Sequence, residues 1–153
     1  MIRKLPYSKY IALGVLIAVL GLAYVNYIKP SKDTTTGTIG NDKFSFQVAE
    51  TPQERQLGLS GQPGLSATSG MLFIFDKPDI QCIWMKDMQF DLDILWFDQD
   101  SNLIHLERDV QLSSYPKSFC SPSAAKYVVE VNAGRSKELG WQLGDKLQFE
   151  KKQ

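Results

Sequence analysis

Eighteen consecutive residues without a charge, Ile11 to Ile28, divide this chain before any other reading of it begins. As a helix rising about 1.5 Å per residue, the run spans roughly 27 Å, close to the hydrocarbon thickness of a bilayer. Arg3, Lys4 and Lys9 precede it, and Tyr7, Tyr10, Tyr24 and Tyr27 bracket it as interfacial aromatics. The spacing predicts a cytoplasmic tail over residues 1–10 and a transmembrane anchor over 11–28, with the remainder outside the cytoplasm. A cleaved signal peptide is the competing reading, because Gly21 and Ala23 are small residues two apart. Against cleavage, the apolar character continues through Val25, Tyr27 and Ile28, longer than a usual signal core. The expected address is the cell membrane, single-pass, with an exported body that is secreted if the segment is removed.

Residues 29–42 are rich in threonine, glycine and serine and read as a flexible linker. The body, 43–150, is large enough for one modest core. Phe44, Phe46 and Val48 alternate with polar residues as in a half-buried strand. Thr51-Pro52 followed by Glu54 has the form of a capping box opening a short helix that ends near Gly58. Apolar runs at 70–75, 80–85, 92–97, 103–107, 127–131 and 146–150 read as strands, with turn residues between most of them. Asp76-Lys77-Pro78-Asp79 reads as a turn, residues 110–123 as a long loop, and 133–139 as a second short helix closed by Gly140. The fold expected is mostly β, a compact barrel or sandwich with two short helices, preceded by a single transmembrane helix.

Charge narrows the function. Seventeen basic residues balance seventeen acidic ones and are dispersed along the chain, so no electrostatic footprint for nucleic acid is present. The two cysteines, Cys82 and Cys120, are expected to pair once exported, since an oxidising compartment favours a bridge. Their spacing and a single histidine give no zinc pattern. Asp98-x-Asp100-x-Asn102 begins like a calcium loop but then fails, with Leu103 in the sixth position and Asp109 in the twelfth, and reads as a hairpin turn. No phosphate-cradling glycine motif occurs, and neither a metal nor a cofactor is expected.

Chemistry-bearing residues gather between Cys82 and Asp93, where Trp84 and Met85 adjoin Lys86, Asp87, Asp91 and Asp93. Alternation would set Asp91 and Asp93 on one face of a strand, about 7 Å apart. They would then suit acid–base work with Glu107, or else bind backbone. His105 reads as a surface residue. A groove lined by Trp84 and Tyr127, with Lys86 and Glu130 as polar groups, would suit a small ligand.

Several ordered motifs carry a family resemblance: Thr51-Pro-Gln-Glu-Arg-Gln-Leu-Gly-Leu59, Gly70-Met-Leu-Phe-Ile-Phe75, Ile83-Trp-Met-Lys86, Leu92-Asp-Ile94, Tyr115-Pro116, Lys126-Tyr-Val-Val-Glu-Val-Asn-Ala-Gly134 and Leu143-Gly-Asp-Lys146. With these motifs the chain resembles the domain-of-unknown-function family numbered 192, from about Phe44 to Phe149. The resemblance implies a compact β-rich domain and no established activity, substrate or cofactor. It points to Arg55, Trp84, Lys86, Asp93, Glu130 and Asn132 as polar or aromatic motif positions for a ligand. Asp91 stands where relatives commonly show proline, a departure that adds a charge beside them.

Three functions are therefore in view. The leading one is a membrane-anchored binding module for a small ligand or an envelope protein. The others are a structural or assembly partner at the cell envelope, and an extracytoplasmic hydrolase using Asp93 and neighbouring carboxylates.

Overall fold

The computed structural model describes residues 33–150, together with Val15. The expected cytoplasmic tail and, apart from Val15, the membrane-spanning run lie outside the described residues. Among the described residues no helix is long and apolar enough to cross a membrane.

The described residues form nine strands: β1 (Thr34–Ile39), β2 (Asp42–Ala49), β3 (Ser69–Asp79), β4 (Cys82–Trp84), β5 (Leu92–Phe97), β6 (Leu103–Val110), β7 (Ser118–Cys120), β8 (Ala125–Asn132) and β9 (Leu147–Phe149). Two short helices join them, α1 (Pro52–Leu57) and α2 (Arg135–Glu138), with one turn of 3-10 helix at Leu112–Ser114. Seven strands form one sheet in the order β6-β5-β8-β3-β2-β1-β9, and β4 pairs with β7 in a small second sheet. All neighbours are antiparallel except β2 and β3, which run parallel. A parallel pair needs a crossover rather than a hairpin, and residues 50–68, carrying α1, supply it.

The large sheet curls into a half-barrel. Its edges meet at one corner, where Leu103 N–H donates to Asp145 O at 2.8 Å, Gly144 N–H to Leu103 O at 2.9 Å and Leu147 N–H to Ser101 O at 2.9 Å. The interior receives side chains from all seven strands, among them Ile39, Phe46, Leu72, Phe97, Val129 and Leu147. The expected barrel or sandwich is thus mostly β with two short helices, as read, but it is one incompletely closed sheet rather than two stacked ones.

A second core lies on the other face. Ala49, Phe73, Leu92, Ile94, Trp96 and Val128 pack there under Ile83 of β4 and Phe119 of β7. All six residues of β5 are buried as a result. Trp96 fixes the cover through its ring N–H, which donates to Gln81 O at 2.9 Å. Cys82 and Cys120 stand opposite each other in the β4–β7 ladder and form the disulfide.

Several sequence expectations need correction. The linker reading of residues 29–42 fails at its C-terminal part, because Thr34–Ile39 is β1, paired along its length with β2 and from Gly37 to Ile39 with β9. The threonines that look like linker are β-branched and suit a strand half open to solvent. Gly37 is in it because a side chain there would meet Gln148 O at 2.2 Å. Asp76–Asp79 is not a turn but the far end of β3, reached through a register shift after Ile74. The long loop 110–123 contains β7, the partner of β4. Trp141 is buried, its ring N–H bound to the Asp42 carboxylate at 2.9 Å.

Closing a loop across a sequence separation of 38 constrains the unfolded chain. The expected contribution is about 3.9 kcal/mol in the chain-entropy treatment. Urea unfolding of the Cys82→Ser/Cys120→Ser chain is expected to show a loss of that order. A loss well under 1 kcal/mol counts against a stabilising bridge.

Candidate functional site

The local chemistry of α1 starts the site. Thr51 Oγ1 accepts the Glu54 N–H at 3.2 Å, and the Glu54 carboxylate accepts the Thr51 N–H at 2.9 Å, a closed capping box. Hydrogen bonding from the Thr51 backbone holds the Glu54 carboxyl below its usual range. The helix stops at Gly58, whose φ of 52° suits glycine and whose N–H returns to Glu54 O at 2.8 Å. Six residues of helix therefore set Arg55 and Leu57 along one side of a cleft.

The opposite side is the β4–β7 cover, with Ile83, Trp84 and Ser118. Two bonds hold the sides together: Ser60 Oγ donates to Lys86 O at 2.9 Å, and Gly61 N–H donates to Asp87 O at 2.9 Å. Between them is a cleft of about 320 Å³, with Phe73 and Phe75 of β3 and Glu130 of β8 as its base. That is the lower end of the range for small-ligand sites. Leu57 and Trp84, 45% and 46% exposed, stand at its mouth.

Glu130 is the unusual group. It is 4% exposed, and the residues directly opposite it in the ladder, Met71 on β3 and Ile94 on β5, are both apolar. Among the described residues no donor reaches its carboxyl. Burial pushes its pKa up to about 8, so the group is protonated at neutral pH. Arg55 does not offset this. Its guanidinium donates to Glu50 O and to Ile74 O, the latter at 2.9 Å, and lies 5.1 Å from the centre of the Phe75 ring.

Of the six residues singled out in the sequence, Arg55, Trp84 and Glu130 line this cleft. The other three do not. Lys86 is exposed, and the bond it makes here is through its carbonyl. The Asn132 amide donates to Leu65 O at 3.0 Å and Ser66 O at 3.3 Å, tying down the loop before β3.

Asp93 is fully buried on the opposite face of the sheet, since it pairs with Val131 while Ile94 pairs with Glu130. One of its oxygens accepts from Asp109 N at 2.9 Å and Gly134 N at 3.1 Å, the other from Ser136 N at 2.8 Å. Its lone pairs are spent on backbone that joins β6 to α2. Asp91 binds Leu112 N at 2.7 Å. Glu107, opposite Ile94, faces away from Asp93 and meets His105 at 3.3 Å. The carboxylates do not converge, and the hydrolase reading built on Asp93 loses its geometry. Tyr127 belongs to the interior core, not to a groove with Trp84.

Sequence reasoning missed Phe75, Met88 and Ser118 as lining residues. Their side is set by the cover strand β7, which no alternation within 110–123 announces. The Asp98 turn is as expected: its carboxylate accepts from Asp100 N at 2.9 Å, Asn102 N at 2.8 Å and the Asn102 amide at 2.8 Å.

The family whose description reads uncharacterised ACR, domain of unknown function 192, matches residues 34–149. The chain belongs to this family. It is also similar to a Sinorhizobium meliloti protein described as a candidate transcription regulator, at 27% identity, a TM-score of 0.71, and coverage of 76% of this chain and 92% of the other. A Novosphingobium aromaticivorans protein of unknown function matches at 24% identity and a TM-score of 0.64, covering 74% of this chain and 82% of that one, a likeness of fold. No curated protein matches the chain.

Family membership leaves the roles of Asp93 and Glu130 to be read from their surroundings, and two measurements separate them. Asp93→Ala strands three N–H groups, one buried and two partly buried, and is expected to cost about 3–5 kcal/mol in denaturant unfolding. A cost below 1 kcal/mol would contradict the bonding described. Glu130 acts through pH. Its folded pKa of about 8 lies above the unfolded value of 4.5, so the folded state holds the extra proton between them. Stability is expected to fall as pH rises through that window, by on the order of 5 kcal/mol in all. Glu130→Gln removes this slope; an unchanged slope in the variant would assign it elsewhere.

Proposed function

We propose that this protein is an exported, membrane-anchored binding module whose cleft between α1 and the β4–β7 cover takes a small, partly apolar ligand. The observation that carries the reading is Glu130, a carboxyl without a donor at the base of an aromatic-walled cleft. A buried carboxyl costs stability, and carboxyls perturbed by burial concentrate where ligands bind. The exported location rests on the uncharged run Ile11–Ile28 with its basic flank, and the Cys82–Cys120 disulfide agrees with an oxidising compartment.

A partner protein is the second reading, favoured by Leu57 and Trp84 exposed together at the cleft mouth. A gene-regulatory role, suggested by the description of the Sinorhizobium meliloti protein, finds no support in the evenly balanced charge of this chain.

Thermal melts of the full-length protein against cell-wall sugars, peptides and small amphiphiles test the reading. A ligand at a hundred times its Kd adds about 2.7 kcal/mol to stability. It is expected to raise the Tm of the wild type and of Lys86→Ala, and to lose most of that effect in Trp84→Ala and Glu130→Gln. Equal shifts in all four chains would place the site elsewhere.

A further inference from the structure

The charged and aromatic groups of the cleft define what it accepts. Its one acid, Glu130, has no counter-charge, and the groups beside it in the sheet are Met71 and Ile94. Its one cation among the described lining residues, Arg55, is already held by two carbonyls and the Phe75 ring, so it offers little to an incoming anion. Phe73, Phe75 and Trp84 line the cleft with aromatic rings, and aromatic faces attract positive charge. Ser60, at the rim, has its hydroxyl proton committed to Lys86 O. The base and walls therefore suit a ligand that brings both a donor and a positive charge.

Resting on the reading of this cleft as a ligand site, we propose that it receives an alkylammonium group: a primary amine on a short apolar stem, its charge against Glu130 and its methylenes along Phe73, Phe75 and Trp84. The volume of about 320 Å³ accommodates a chain of the length of a lysine side chain. A free amine and a lysine projecting from a partner share this chemistry.

Binding is coupled to one proton. An ammonium ion enters with its charge, the Glu130 carboxyl gives its proton to solvent, and the bound state is an ion pair enclosed by apolar walls. Below the pKa of about 8, affinity is then expected to rise about tenfold per pH unit, because the competent carboxylate is the minor form. Above it affinity levels off, until the amine itself loses its proton.

The test is calorimetric titration of the full-length protein in maltoside micelles with n-hexylammonium, n-hexanol and hexanoate as probes. The expected result is preference for hexylammonium, about one proton released per amine bound at pH about 6–7, and loss of the pH dependence in Glu130→Gln. Trp84→Ala, altered at an exposed position, checks the same wall in a chain whose core is untouched and is expected to weaken the amine at least tenfold. A peptide bearing an accessible lysine, compared with its acetylated form, separates a protein partner from a free amine.

Equal binding of hexanol and hexylammonium, or preference for hexanoate, overturns the proposal while leaving a small-ligand cleft in place. Hexylammonium binding that is indifferent to pH and to Glu130→Gln also overturns it. Failure of all probes, together with a Glu130 carboxyl that titrates in the ordinary range, removes both the amine and the cleft.

Discussion

The structure depends on burying both faces of β5 and its neighbours. β5 has β6 on one side and β8 on the other, with Leu95 and Phe97 turned to the interior and Leu92, Ile94 and Trp96 to the outer core. A curled sheet fills its inside with its own side chains, but the outside requires a separate cover. Here that cover is small: two three-residue strands, a short helix and the segment between Met85 and Gln89. Strands this short do not hold together by their ladder alone. The disulfide, the Trp96 bond to Gln81 and the bonds from Ser60 and Gly61 join them to each other and to the sheet. The cleft is the place where α1 and the cover meet without filling the space beneath.

Two buried carboxylates show how environment decides role. Asp93 and Glu130 are within one residue of facing each other across β5 and β8, yet pleating sends them to opposite sides of the sheet. Asp93 is surrounded by backbone N–H groups at the turn of β6 and the start of α2, so its hydrogen-bonding capacity is used. Glu130 meets Met71, Ile94 and open space. The same residue chemistry thus yields a structural cross-link on one face and an uncommitted acid on the other.

Much of this was visible in the amino-acid order. Period-two alternation marks β2, the uninterrupted apolar runs mark β5 and the start of β3, and Thr51-Pro52-Glu54 fixes the beginning of α1. Arg55, Trp84 and Glu130, named from the family resemblance, line the cleft. What the order hides is non-local. Thr34–Ile39 lacks large apolar residues other than Ile39 because its neighbours supply the packing, and β7 is stabilised by a partner 38 residues earlier. Whether Asp93 and Glu130 share a face depends on the pairing register of β5 with β8, which a single chain does not display.

The corner where β6 and β9 meet has a further consequence. An open sheet presents unpaired N–H and C=O groups along its outer strands, and these invite strands from other molecules. Here Leu103, Gly144 and Leu147 consume several of those groups within the chain, and β9, the outer strand beyond β1, is only three residues long. At that corner another polypeptide finds no ladder to extend. Recognition there is left to side chains.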